Sequence, residues 1–252
     1  MRYFIETSYK GTAYSGFQVQ QNSNTIQAEI EKALQVYFKQ SFSLTGSSRT
    51  DAGVHAFQNY FHFDAQISSA RGDLTQAVYH LNAILPSDIV IKRIFPVGDD
   101  AHCRFDALSR EYKYFIYQTK DPFVEDRAHY FPYKVHLENL RACAQVISQH
   151  NDFTSFSKRN TQVKNFICDI QKSEWKEEDN MLVYKVKANR FLRGMVKALV
   201  GTMLRAGTGK ISIQEFEEII QSRDCTKADF SVPSHGLFLV NIEYLPSLHS
   251  GF

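Results

Sequence analysis

Apolar positions along the chain recur with two different periods, and the change from one to the other marks out the elements. Residues 2–9 are rich in aromatic and β-branched side chains and run into Lys10-Gly11, the pattern of a strand ending in a turn. Ile26, Ile30, Ala33, Leu34, Tyr37 and Phe38 then fall at spacings of three and four, which predicts an amphipathic helix with Asn24 and Gln27 as its capping pair. Residues 41–45 read as a short strand. Residues 57–64 read as a longer one, because Phe57, Asn59, Phe61 and Phe63 alternate with Gln58, Tyr60 and His62. Asp73 with Gln76 opens a second helix, whose stripe of Leu74, Ala77, Val78, Leu81, Ile84 and Leu85 stops at Pro86, and residues 89–96 return to a strand.

The order to this point is β-α-β-β-α-β, the ferredoxin-like unit that RNA-recognition modules also use. Gly98-Asp99-Asp100 reads as the linker region. Beyond it the order recurs more loosely: a strand over 111–118, a helix over 137–148, a hairpin of 165–176 and 181–188, helices over 191–205 and 213–221, and a last strand over 236–244. The expected fold is therefore α+β. It has two ferredoxin-like (RRM-like) halves, residues 1–100 and 101–252, with antiparallel sheets flanked by helices and a cleft between them.

Composition narrows the class. The 252 residues are 43% apolar and 22% charged, as in a globular chain, and a chain of this length buries roughly 70% of its unfolded surface without staples. Cys103, Cys143, Cys168 and Cys225 form no CxxC pair and have no histidine at ligand spacing, so free buried thiols are expected, not a metal site. The first residues lack the apolar stretch of a signal peptide and no run of about 18 apolar residues follows, so no membrane span is expected and the compartment expected is the cytoplasm.

The formal net charge is only +2, yet residues 180–214 contain no acid and carry Lys185, Lys187, Arg190, Arg193, Lys197, Arg205 and Lys210. Such a stretch suits phosphates, and an ordinary solvated surface would have the same composition. Three segments have the residue types for chemistry. The small-residue loop 45–56 places Arg49, Asp51 and His55 close together, where Asp51 is either a presented carboxylate or a turn residue capping a local N–H. On the strand that follows the linker, Arg110, Tyr112 and Tyr114 share one face, either as a cation beside an aromatic platform or as half-buried sheet residues. On the helix read over 191–205, Arg193 and Lys197 stand at i and i+4 on one face.

Taken together these segments resemble TruA-type tRNA pseudouridine synthases. Arg49-Thr50-Asp51-Ala52-Gly53-Val54-His55-Ala56 matches that family's signature loop. Residues 9–18, Ser109-Arg110-Glu111-Tyr112-Lys113-Tyr114, Asp152-Phe153-Thr154-Ser155-Phe156, Met195-Val196-Lys197 and Gly236-Leu237 follow in family order along essentially the whole chain. The resemblance implies a homodimeric enzyme without metal or cofactor that isomerises uridines 38, 39 and 40 in the anticodon stem-loop of tRNA. It also implies that Asp51 is the nucleophile, that Tyr112 contacts the target base and acts as the base, that Lys197 pairs with the aspartate and that Arg49 holds the flipped nucleotide. Arg110 and Arg193 are further candidates for RNA contact. Lys197 stands where the family more often has arginine, Phe17 where tryptophan is frequent, and Ser47-Ser48 where Ala-Gly is common. His55 reads as a structural residue within the motif. A non-catalytic RNA-binding protein of the same fold is the alternative reading, and a small-molecule enzyme on this fold a third.

Overall fold

The computed structural model describes residues 1–66, 73–159 and 163–246. The chain is of mixed α and β structure, with mostly antiparallel strand pairing and five α-helices among the described residues. It gathers into two compact units, one made of residues 1–108 with the chain from Leu239 onward, the other of residues 109–238. The first unit thus runs past residue 100, where the sequence suggested a boundary, and takes back the end of the chain.

The first unit contains β1 (Arg2–Tyr9), α1 (Ile26–Phe38), β2 (Thr45–Gly46), β3 (His55–Asp64), α2 (Leu74–Ile84) and β4 (Ile89–Val97). β1 lies between β3 and β4 and is antiparallel to both. The two-residue β2 pairs with His62 and Phe61 of β3, and β9 (Leu237–Glu243) also runs alongside β3. Both faces of this sheet are covered. On one, Tyr3 stacks on Phe63, which meets Phe42 edge-on beyond α1. On the other, Phe4 packs among Tyr60, His62, Phe95 and Tyr244. The alternation read in 57–64 therefore gives way to continuous burial from Asn59 to Phe63, while Phe57 is exposed.

Two local expectations change in this unit and a third holds. The N-cap of α1 is Thr25, not Asn24: its backbone is extended and its side chain accepts the Ala28 N–H, as a cap requires. Residues 41–44 are not strand, because the backbone of Leu44 is bonded by helix side chains, its N–H by Glu31 and its carbonyl by Gln27. Asp73 caps α2 as read, accepting from the N–H groups of Thr75 and Gln76.

The second unit contains β5 (Ser109–Tyr117), β6 (His129–Tyr130), α3 (Leu137–Ile147), β7 (Ile170–Glu178), β8 (Met181–Ala188), α4 (Met195–Gly207) and α5 (Ile213–Gln221). β8 lies between β5 and β7, antiparallel to both, and β6 adds to β5 in parallel. The β7–β8 hairpin turns at Asp179 and Asn180, whose φ values of 51° and 61° are those of a two-residue turn that matches the strand twist. α3 packs on β7, α4 and α5, and α4 is buried almost all round. Its Met203 sulfur accepts the Trp175 indole N–H at 3.2 Å.

Two boundaries differ here. β7 begins at Ile170, because Cys168 N–H bonds Asn151 and Ile167 pairs with Asp152, which ties residues 167–168 to 151–152. α4 begins at Met195, because Gly194 has φ 75°, a left-handed value that ends any helix arriving from Phe191. Arg193 therefore precedes the helix and does not share a helical face with Lys197.

Candidate active site

The loop from β2 to β3 is held from several sides. Thr50 is buried, its hydroxyl 2.8 Å from the Tyr9 hydroxyl, and its carbonyl accepts the Phe17 N–H at 3.1 Å. Asn59, fully buried on β3, donates to both the Tyr9 hydroxyl (3.0 Å) and the Ser48 carbonyl (2.9 Å). Ser47 N–H bonds the Tyr60 carbonyl, and its hydroxyl lies 3.1 Å from the Tyr244 hydroxyl. Every one of these bonds lies out of water, where losing a partner costs more than the bond's net worth.

Two glycines let a second stretch of backbone lie on this loop. A Cβ on Gly11 would stand 2.1 Å from the Val54 carbonyl oxygen, and Gly16, at φ 109°, faces the Thr50 carbonyl. Gly11 also donates its N–H to Nδ1 of the buried His55 at 3.1 Å, which makes that nitrogen an acceptor and gives His55 the structural role read from the sequence. The turn from Asp51 to Val54 closes through the Asp51 carbonyl, with Gly53 at φ 78°.

This clamping leaves Arg49 exposed and Asp51 half-buried on either side of a fixed Thr50. Among the described residues neither side chain makes a hydrogen bond or ion pair. Asp51 is therefore not a turn cap: its main chain accepts the local N–H, and its carboxylate is left for something else. The sequence did not single out Tyr9, Thr50, Asn59 or Tyr244 as supports of this loop. The one available signal was an asparagine within an otherwise aromatic buried strand.

In the second unit Tyr114 and Tyr112 separate in role. Tyr114 is fully buried, donates to the Pro233 carbonyl at 2.8 Å, and lies against Gly236, where a Cβ would come within 2.8 Å of its ring. Burial alone drives its phenol far above the ordinary range. The two-tyrosine platform read from the strand thus reduces to Tyr112, half-buried with its ring edge-on to Phe191 at 5.0 Å. Arg110 donates to the Asn189 carbonyl at 3.1 Å, on the segment that leads to α4. Lys197 sits in the first turn of α4, its ammonium 3.3 Å from the Ser234 hydroxyl, and Arg193 is exposed just before it.

Not every cation of residues 180–214 is left for phosphates. Lys185 pairs with Glu111 across β5–β8 at 3.1 Å, and Arg205 donates to the Lys227 carbonyl. The segment 152–156 is structural: Asp152 holds Thr154 and Arg223, and Ser155 donates to the Ile219 carbonyl at the end of α5. Cys103, Cys143 and Cys168 are buried free thiols and Cys225 is half-buried. Burial pushes Cys143 up to about 12 and Cys168 up to about 11. Among the described residues, no three of His, Cys, Asp and Glu are grouped to hold a metal ion, and no helix is long and apolar enough to cross a membrane.

The chain is thus an α+β protein that clamps an Arg-Thr-Asp loop and leaves its half-buried carboxylate without a partner among the described residues. The family model described as tRNA pseudouridine synthase matches residues 6–106 and 149–245, and the chain belongs to that family of isomerases. It is similar to the tRNA pseudouridine synthase A of Parabacteroides distasonis, 42% identical over 243 residues that cover 96% of either chain. It is similar likewise to that of Porphyromonas gingivalis, 41% identical over 96% of this chain and 97% of the other. That of Staphylococcus aureus is 35% identical over 96% of this chain and 90% of the other.

Proposed function

We propose that the chain converts uridine to pseudouridine at positions 38, 39 and 40 of the tRNA anticodon stem-loop, with Asp51 as nucleophile and no cofactor. The observation that carries this reading is the Asp51 carboxylate, without a partner among the described residues, on a loop fixed by Tyr9, Asn59, Phe17 and Gly11.

The reaction breaks the bond from C1′ to N1, turns the uracil and joins C1′ to C5. The C5 proton leaves and N1 gains one, so the product is an isomer and no electrons are exchanged. A carboxylate starts this sequence by adding to C1′ or to C6, or by taking a ribose proton. The resemblance gives Tyr112 the role of contacting the uracil and accepting the C5 proton, and gives Lys197 the role of the accompanying cation. Arg49 holds the turned-out nucleotide, an extrusion that costs a few kcal/mol, and Arg110 and Arg193 supply RNA contacts that offset it.

The strand order β4-β1-β3-β2 in the first unit supports a ferredoxin-like half, and we extend that reading to the second. A homodimer working in the cytoplasm completes the proposal.

Mapping pseudouridine in tRNA incubated with the purified protein and with Asp51→Asn tests it. The parent modifies positions 38–40, while the variant loses activity by at least about a thousandfold and keeps tRNA affinity within a few fold. Full activity in Asp51→Asn would remove the nucleophile from the proposal. Absence of pseudouridine with the parent protein would favour an RNA-binding protein without catalysis.

A further inference from the structure

Residues 102–106 form a turn that the first unit holds rigid. Cys103 is fully buried: its N–H donates to His62 Nδ1, its Sγ lies 3.1 Å from the Thr45 carbonyl, and its own carbonyl accepts the Tyr244 hydroxyl. His102 N–H donates to the Asp106 carboxylate at 2.7 Å, and His102 Nδ1 accepts the Arg104 N–H at 3.1 Å. With residue 103 anchored inwards, Arg104 and Phe105 face outwards. Phe105 is 74% exposed, its ring rests against His102 at 4.2 Å, and the Arg104 guanidinium lies 5.7 Å from its centroid.

Single exposed apolar side chains are ordinary, so exposure alone is no argument. What sets Phe105 apart is the combination of a fixed backbone, a largely exposed ring and a cation beside it. Phe123 and Tyr79 are as exposed, at 81% and 73%, and among the described residues neither has a guanidinium over its ring. Proteins that hold unpaired nucleotides use this pairing, an aromatic ring for the base and a cation for the adjoining phosphate.

We infer that Arg104 and Phe105 form a base-stacking element, in which Phe105 takes one face of an unpaired nucleobase of an RNA loop and Arg104 contacts the neighbouring phosphate. This rests on the proposal that the chain acts on tRNA. It adds a contact point carried by the first unit, apart from the Arg49–Asp51 loop.

The test is the affinity of the full chain for an anticodon stem-loop across a salt series, with Phe105→Ala, Phe105→Leu, Phe105→Tyr and Arg104→Ala. Phe105→Ala weakens binding by about five- to a hundredfold without changing the slope of log affinity against log salt. Phe105→Tyr restores binding and Phe105→Leu does not. Arg104→Ala lowers the slope by about 0.7, the value for one phosphate of a single strand. A 2-aminopurine probe in the loop is quenched by the parent and not by Phe105→Ala. Urea midpoints show that the variants fold. An unchanged affinity in Phe105→Ala, or full rescue by Phe105→Leu, overturns the inference and leaves the tRNA reading standing. Loss of a parental oligomer in Phe105→Ala would assign the ring to a protein interface instead. If the parent itself shows no salt-dependent affinity for the stem-loop, the tRNA reading falls and this inference with it.

Discussion

The Tyr9 hydroxyl, from the end of the first strand, lies 2.8 Å from the Thr50 hydroxyl in the middle of the Arg49-Thr50-Asp51 loop, and Asn59 holds it there from the neighbouring strand. A side chain from another strand thus holds the residue between Arg49 and Asp51. Tyr9→Phe removes one oxygen and keeps the ring. The expected result is a loss of about 1–2 kcal/mol in urea unfolding. The turnover number for pseudouridine formation falls by about ten- to a hundredfold, and KM for tRNA changes by less than about threefold. A loss of stability with turnover unchanged would reduce Tyr9 to a packing residue.

Gly11→Ala and Gly209→Ala separate collision from backbone strain. At residue 11 the new methyl would stand 2.1 Å from a main-chain oxygen, which has no rotamer to escape into; at residue 209, with φ 75°, nothing lies within 4 Å. Gly11→Ala should lose about 3 kcal/mol or the fold, and Gly209→Ala about 1 kcal/mol, read from urea midpoints.

Lys197 tests whether charge or fork geometry matters at the start of α4. Lys197→Met should lower turnover by about a hundredfold and Lys197→Arg should restore most of it, since both basic side chains supply the charge. Equal turnover in Lys197→Met and the parent would remove the cation from the proposed mechanism.

Stability should fall with acid in two windows. Burial lowers both His62 and His129 to about 4, from an ordinary 6.5. The unfolded chain therefore binds these protons first, so the stability tied to neutral histidine is complete above pH 6.5 and is lost as pH falls from there to about 4. Glu6 acts lower down. Burial would raise its pKa, but hydrogen bonds from Gln58 and Arg93 hold it below the ordinary 4.5, so its contribution is lost only as pH falls below that value. Urea midpoints should be level above pH 6.5, and His62→Asn should flatten the upper part of the decline; an unaltered slope in that variant would place the linkage elsewhere.

Elements whose cause is local were legible in the sequence. The stripe from Ile26 to Phe38, the Asp73 cap and a hairpin turn in the polar residues 177–180 each follow from neighbours a few residues apart, although the strand runs on through Glu178. Misreadings arose where a distant group decided. Leu44 is bonded by Glu31 and Gln27 instead of a ladder, and Lys185 finds Glu111 on another strand, so an acid-free stretch of sequence is not an acid-free surface. Phe191 and Leu192 extended the apolar period of α4, while one left-handed glycine ended the helix at Met195. The Arg49–Asp51 loop was conspicuous by composition. Its fastening was not, because Tyr9, Asn59 and Tyr244 come from three strands or strand ends far apart along the chain and no periodicity links them.

Tyr244 carries a consequence for how the molecule is made. Its hydroxyl reaches Ser47 beside the Arg49–Asp51 loop and the carbonyl of Cys103, so the first unit closes only with residues that follow the second unit along the chain. A nascent chain halted before Leu239 has the Asp51 loop but lacks the strand segment and the phenol that fasten it. During synthesis this loop is therefore fastened late, after the second unit has emerged.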